Sequence, residues 1–135
     1  MHRMNQNTLR KSPSIILIED EEQQREVLRM VFESEGYELR CVASAEEALQ
    51  HIQLNRPDIV VSDVKLPGID GFTLFEKIRE HPEFQKLPFV FITGYNDPQA
   101  IARLQKLDSV GYITKPYDIE TLITVVGKYV PSIKL

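Results

Sequence analysis

The chain has 135 residues, of which 42% are hydrophobic and 27% are charged, and its formal net charge is −4. This length and composition fit one ordinary globular domain. The negative charge argues against nucleic acid as a direct partner, and no apolar stretch reaches the roughly 20 residues that a membrane span needs. Because the first residues lack the apolar core of a signal peptide, we expect a cytoplasmic protein with no membrane contact.

The first part of the chain predicts a flexible leader, a strand and a helix. Residues 1–13 are polar without apolar periodicity, which favours a flexible segment. The apolar run at 15–18 predicts a first strand, which leads directly into Glu19 and Asp20. The segment 21–35 carries a stripe of apolar residues at helical spacing, namely Val27, Leu28, Val31 and Phe32.

The next elements alternate between strand and helix in the same way. Residues 37–42 alternate apolar and polar side chains, as in a half-exposed edge strand. Ser44 and Glu47 form a capping box for a second helix, which we expect to end at about Leu54. The second strand and helix are therefore predicted with both of their boundaries.

Residues 59–62 (IVVS) form an apolar run that ends on Ser62, which predicts a third, central strand covered on both faces. Asp63 follows it directly. Asp70 is the expected N-cap of a third helix over 72–79. The central strand of the predicted sheet therefore also ends on a carboxylate.

The last third of the chain predicts two more strand–helix pairs. The fourth strand ends on Thr93, and a fourth helix runs from the Asp97–Pro98 pair to about Lys106. The fifth strand ends on the Lys115–Pro116 pair. The last helix has strict helical spacing at the apolar residues Ile119, Leu122, Ile123, Val126 and Tyr129.

Five alternations of strand and helix predict an α/β fold: a flavodoxin-like, doubly wound sheet of five parallel strands with five helices. The alternating second strand belongs at an edge, which suits the strand order 2-1-3-4-5. This order makes the first and third strands neighbours, so we expect Glu19, Asp20 and Asp63 to converge. We expect one domain over residues 14–131 and a tail at 132–135.

The residues at these strand ends suit phosphoryl chemistry. Clustered carboxylates repel each other, and an Mg²⁺ (or Mn²⁺) ion with oxygen ligands removes that repulsion. An aspartate beside the ion can accept a phosphoryl group, while the Lys115 ammonium and the Thr93 hydroxyl bind its oxygens. Each residue alone has an ordinary explanation, such as an acidic helix start or a turn. The functional interpretation rests on their joint order.

This joint pattern resembles the receiver domain of bacterial two-component response regulators, of the chemotaxis-regulator type, over about residues 14–131. The matching segments are 16–21 (ILIEDE), 62–71 (SDVKLPGIDG), 91–94 (FITG) and 112–117 (YITKPY). The resemblance implies that Asp63 is the phospho-acceptor and that Asp20 and Asp63 bind the metal directly. It also implies that Glu19 acts through water and that the backbone carbonyl of Lys65 is a further ligand.

The resemblance further implies a switch and a set of partners. Thr93 and Lys115 would bond to the phosphoryl oxygens, and the Lys115–Pro116 bond would be cis. Tyr112 matches an aromatic residue that turns inward when the threonine moves, with an ordinary strand aromatic as the alternative. The implied donor is a sensor histidine kinase or a phosphotransfer protein. A downstream protein target, an output domain or a second copy would bind the face of the fourth helix, fifth strand and fifth helix.

Some positions depart from the family pattern. Glu19 stands where the family more often has aspartate, and Asp108 and Ser109 replace a common Gly-Ala pair. The end of the fourth helix is therefore the least defined part of the predicted fold. Lys65 and Tyr95 fall at positions that tune the loss of the acyl phosphate, and their bulk leads us to expect slow autodephosphorylation.

Two other classes of protein share parts of this pattern. An aspartyl-phosphate phosphatase usually has a second acid two residues after the nucleophile, where this chain has Lys65, and a cap domain for which there is no room. An FMN-binding flavodoxin needs a phosphate loop after the first strand, where residues 19–22 are all acidic. We therefore expect a protein that catalyses only its own phosphorylation and dephosphorylation. It is either free-standing or a piece of a hybrid kinase or larger regulator.

Overall fold

The computed structural model describes residues 12–132. Of the predicted leader (1–13) only the last two residues are described, and of the predicted tail (132–135) only Ser132. Both predictions therefore lie outside the described residues. Within the described part of the chain, no helix has the length and apolar character needed to cross a bilayer.

Five parallel strands form one sheet in the order β2-β1-β3-β4-β5, as the sequence predicted. The strands are β1 (Ser14–Ile18), β2 (Glu38–Val42), β3 (Ile59–Asp63), β4 (Phe89–Gly94) and β5 (Val110–Lys115). Between and after them lie five helices, α1 (Glu22–Ser34), α2 (Ala45–Leu54), α3 (Gly71–Arg79), α4 (Pro98–Leu104) and α5 (Ile119–Tyr129). The fold class is therefore confirmed.

The helices cover both faces of the sheet, so the core has two layers. Along β1 the side chains alternate, with Ile16 and Ile18 in one layer and Ile15 and Leu17 in the other. The first layer lies against α2, α3 and α4, and the second against α1 and α5. All five residues of β3 are buried, as expected for a central parallel strand.

Short polar caps fix where the helices begin. The Ser44 hydroxyl accepts a hydrogen bond from the Glu47 backbone N–H (3.2 Å), and the Glu47 carboxylate accepts one from the Ala43 N–H (3.2 Å), which completes the predicted capping box. The carboxylates of three aspartates accept equivalent bonds at the starts of α3, α4 and α5, namely Asp70, Asp97 and Asp118. Each of these three helices therefore begins at a capped position.

Three details of the fold differ from the sequence predictions. The apolar stripe of α1 is narrower than predicted, because Val27 is 48% exposed while Leu28 and Phe32 are buried. Helix α4 ends at Leu104 instead of near Lys106. A 3₁₀ turn at Pro82–Phe84 was not predicted.

Candidate functional site

Three carboxylates lie together at the carboxyl edge of the sheet. Glu19 and Asp20 follow β1, and Asp63 is the last residue of β3. Because Ile18 pairs with Ser62 across the two strands, the next residues of both strands are neighbours. One oxygen from each carboxylate lies within 4.8 Å of the other two. The convergence expected from the strand order is observed.

Burial makes this cluster electrostatically unfavourable when all three groups are charged. Glu19 is only 3% exposed and Asp63 only 6%. Burial, reinforced by the charge of Asp63, raises the pKa of Glu19 from 4.5 to about 6, although the Glu21 backbone N–H donates to its carboxylate. Burial also raises the pKa of Asp63, against the opposing effect of Lys115. A bound cation would therefore stabilise the charged forms of these acids in the folded chain.

The two oxygens of Asp63 have different surroundings. The Lys115 ammonium, at the end of β5, lies 3.3 Å from Oδ2 of Asp63 and donates a hydrogen bond to it. The other oxygen, Oδ1, is buried and has no hydrogen-bond partner among residues 12–132. A buried hydrogen-bond acceptor without a partner destabilises the fold, which is unusual for a residue with a purely structural role. This oxygen is therefore available to bind a further ligand or to form a new bond.

This donor set fits a hard divalent cation. Mg²⁺ prefers oxygen ligands and is typically bound by one or two carboxylates together with water and phosphate. Glu19, Asp20 and Asp63 provide clustered carboxylate oxygens, and Asp20 is exposed to solvent. Lys65, whose carbonyl we predicted as a further ligand, lies in the loop after β3 with an exposed side chain. Its ligand role stays a prediction.

The predicted switch residues lie on β4, which pairs with the strand that carries Asp63, and on β5, the next strand along the sheet. Thr93 is 4% exposed near the end of β4, where its register partner on β5 is Thr114. Tyr112 lies two residues earlier on β5, opposite Phe91, and is half-buried. Its hydroxyl accepts a hydrogen bond from Nε2 of Gln105 (3.0 Å). The peptide bond between Lys115 and Pro116 is cis.

Two residues of α1 support the site and were not singled out from the sequence. Nη1 of Arg25 donates to the backbone carbonyl of Glu19 (2.8 Å), which fixes the end of β1 where the acidic pair begins. Nε2 of Gln24 donates to the Tyr117 hydroxyl (3.4 Å), which joins α1 to the loop after β5. Their position in the first turns of a helix after an acidic pair was the available sequence indication, but polar helix residues usually face solvent.

Known proteins are similar to this chain along most of its length. A sequence model described as the response regulator receiver domain matches residues 15–127. Sporulation initiation phosphotransferase F of Bacillus subtilis (strain 168) is 30% identical over 117 residues, which cover 87% of this chain and 93% of that protein. The shared region is therefore nearly the whole of both proteins.

Solved structures agree with the sequence comparison. A protein assigned as a response regulator in Chloroflexus aurantiacus J-10-fl superposes with a TM-score of 0.80 at 38% identity, covering 88% of this chain and 98% of that chain. The receiver domain of a signal transduction histidine kinase from Syntrophus aciditrophicus also gives 0.80, at 30% identity, covering 90% of this chain and 92% of that chain. The chain therefore belongs to the response regulator receiver domain family of two-component signal transduction.

Proposed function

We propose that Asp63 accepts a phosphoryl group from a histidine kinase or a phosphotransfer protein in a reaction that requires Mg²⁺. The observation that carries this proposal is the state of the Asp63 carboxylate. It is buried, paired with Lys115 through one oxygen only, and grouped with two further acids. The name of the Bacillus subtilis relative, a phosphotransferase, agrees with a role in phosphoryl transfer.

The metal site would be formed by Asp20 and Asp63 directly, by Glu19 through water and by the Lys65 carbonyl. When bound, Mg²⁺ neutralises the carboxylates and the oxygens of the incoming phosphoryl group. The acids of the chain orient that site because β1 and β3 hold their backbones in register. The Arg25 contact with the Glu19 carbonyl keeps the first two acids in place.

The transfer itself is a displacement at phosphorus. A carboxylate oxygen of Asp63 forms a new O–P bond, the N–P bond of the phosphohistidine donor breaks, and its electron pair remains on the imidazole nitrogen. Lys115 already donates a hydrogen bond to Asp63, so its ammonium can instead bind the phosphoryl oxygens once they carry the negative charge. Thr93, on the neighbouring strand, supplies a hydroxyl donor to the same oxygens.

The product carries about two negative charges in place of one, and this change is the switching event. Thr93 and Lys115 move toward the phosphoryl group, and Tyr112 turns into the space that Thr93 leaves. The readout is the face of α4, β5 and α5. A groove of about 420 Å³ lies on the β5–α5 part of this face, lined in part by Tyr112, Tyr117 and Val125. A protein target, an output domain or a second copy would dock on this face.

The direct test is incubation with acetyl phosphate and Mg²⁺ followed by intact-mass measurement. Wild type should gain one phosphoryl group, and Asp63→Asn should gain none. Asp58→Asn is the matched control, because Asp58 is an exposed aspartate just before the opposite end of β3. It should be phosphorylated like wild type. Phosphorylation of Asp63→Asn at the wild-type rate would contradict the proposal.

A further inference from the structure

Helix α4 is lightly anchored in the fold. It has seven residues, of which only Ala100 and Leu104 are buried. A short helix with so little buried apolar surface belongs to the low-stability part of a structure, where single polar contacts influence position. Two side chains at the end of this helix make such contacts, Arg103 and Gln105.

The two contacts reach different elements. Arg103 pairs with Glu76 of α3 (2.7 Å), and its guanidinium lies 4.0 Å from the ring centre of Phe72. Both charged side chains are more than half exposed, so the ion pair contributes little. Gln105 instead donates to the hydroxyl of Tyr112 on β5. It therefore contacts the residue whose side chain would move in the proposed switch.

The backbone of Gln105 is fixed, so its amide is presented from a defined place. Its N–H donates to the Ile101 carbonyl (3.1 Å), which continues the helical hydrogen bonding of α4. The Tyr112 ring packs against the core layer beneath this helix, and the bond to Gln105 holds its hydroxyl at the helix end. The bond is 3.0 Å long, which is ordinary for an amide donor and a hydroxyl acceptor.

We infer that Gln105 is a positioning residue that holds Tyr112 in the unphosphorylated arrangement and so makes the domain harder to phosphorylate. The inference rests on the proposed function, since it concerns the switch of the same site. A contact made in only one of two states favours that state by its own free energy. The net value of a neutral hydrogen bond corresponds to about two- to tenfold in the equilibrium between the states. Gln105 is exposed, so we expect the lower part of this range.

The test compares initial rates of phosphorylation by acetyl phosphate with Mg²⁺. Gln105→Met keeps the length and helix propensity of the side chain but removes the donor, and it should raise the rate about two- to tenfold. Gln99→Met is the control, since Gln99 is an exposed glutamine of α4, the helix that Gln105 follows. It should leave the rate unchanged. A Gln105→Met rate equal to or below that of wild type would overturn the inference.

A double-mutant cycle separates this bond from a general loosening of α4. In the Tyr112→Phe background the bond is already lost, so adding Gln105→Met should have no further effect. If the effects of the two substitutions multiply instead, Gln105 acts by another route and the inference is wrong. The unfolding midpoint of each variant shows whether stability alone could explain a change in rate.

A second measurement does not depend on phosphorylation. The protein is labelled with fluorotyrosine, and the Tyr112 resonance is identified by its loss in Tyr112→Phe. In the unphosphorylated protein, Gln105→Met should shift this fluorine resonance and Gln99→Met should not. An unshifted resonance overturns the inference. Absence of phosphorylation in wild type, with the resonance shifted as expected, would instead overturn the proposed function and leave the contact between Gln105 and Tyr112 established.

Discussion

The acidic edge of the sheet and the segment from α4 to β5 are built in opposite ways. The edge stands on β1 and β3, where every residue from Ile15 to Ile18 and all of β3 are buried, and it holds carboxylates that repel each other. The α4–β5 segment has a short helix, a half-buried strand and a residue with positive φ, Ser109 (58°). The buried strands β1 and β3 can keep repelling charges close together. The weakly packed α4–β5 segment can instead move when that repulsion is relieved.

The comparison predicts that the acidic edge depends on a cation more than on any single contact. Removing Mg²⁺ with EDTA should lower the rate of phosphorylation by acetyl phosphate about 100-fold or more, because a bound ion contributes several kcal/mol of charge stabilisation. Rates from intact-mass measurements test this, and added excess Mg²⁺ should restore the rate. An unchanged rate in EDTA would show that the cluster works without a metal.

The exposed rim of the site should control how long the phosphoryl group stays. Lys65 and Tyr95 have exposed side chains, with Tyr95 71% exposed, and we expect them to obstruct the attacking water. Replacing both with alanine should speed hydrolysis roughly tenfold, which corresponds to about 1.4 kcal/mol of barrier. The decay of the phosphorylated mass after donor removal measures the rate. A wild-type half-life of seconds would contradict slow autodephosphorylation.

The unfavourable burial of charged acids at the edge of the sheet should make the free energy of unfolding depend on pH. The pKa of Glu19 is raised from 4.5 to about 6 in the folded chain, so the folded state binds the proton more tightly than the unfolded state. Its contribution to stability is therefore complete below pH 4.5 and is lost as pH rises through about 6. Without Mg²⁺, the free energy of unfolding should fall by about 1 kcal/mol between these limits, allowing for solvent screening.

Glu19→Gln provides the control for that pH dependence, because it removes the titrating group and keeps the shape. Its free energy of unfolding, measured by denaturant titration at several pH values, should vary less between pH 4.5 and 6 than that of wild type. The pKa of Asp63 is shifted in the same direction, so part of the slope should remain. If the free energy of unfolding of wild type rises between pH 4.5 and 6 instead, burial does not raise the pKa values of these acids.

The smallest expected effect concerns the α4–β5 segment. Ser109 adopts φ 58°, a conformation that favours glycine. Ser109→Gly should raise the free energy of unfolding by roughly 0.5 kcal/mol, since relief of strain is partly offset by the greater freedom of the unfolded chain. Ser109→Thr, with its branched side chain, should lower it by about 1 kcal/mol. Denaturant titration distinguishes these outcomes, and equal stability of the two variants would mean that the positive φ carries no cost.

The acidic edge was predictable from the sequence for a physical reason. Glu19 and Asp63 each follow a strand rich in apolar residues, and the half-exposed second strand suits an edge position, in an order that makes those two strands neighbours. The starts of α3 and α4 at Asp70 and Asp97 were likewise identifiable, because a helix cap depends on residues three positions apart. Short-range chemistry and strand order together were sufficient.

Other features depend on how distant elements meet. Val27 lies within the apolar stripe of α1 but is 48% exposed, since the rotation of the helix on the sheet decides which part of the stripe is covered. The bond between Gln105 and Tyr112 joins two elements through side chains that have no distinctive spacing. Ser109 has a positive φ directly before β5, where its carbonyl accepts a hydrogen bond from the Phe89 N–H of β4.

Chemical trapping of the modified residue tests the central claim most directly. Borohydride reduces an aspartyl phosphate to homoserine, so the phosphorylated protein can be reduced, digested and sequenced by mass spectrometry. We predict homoserine at position 63 and unmodified acids at positions 19 and 20. Homoserine at another position, or none after full exposure to acetyl phosphate and Mg²⁺, would contradict the assignment of Asp63 as the phospho-acceptor.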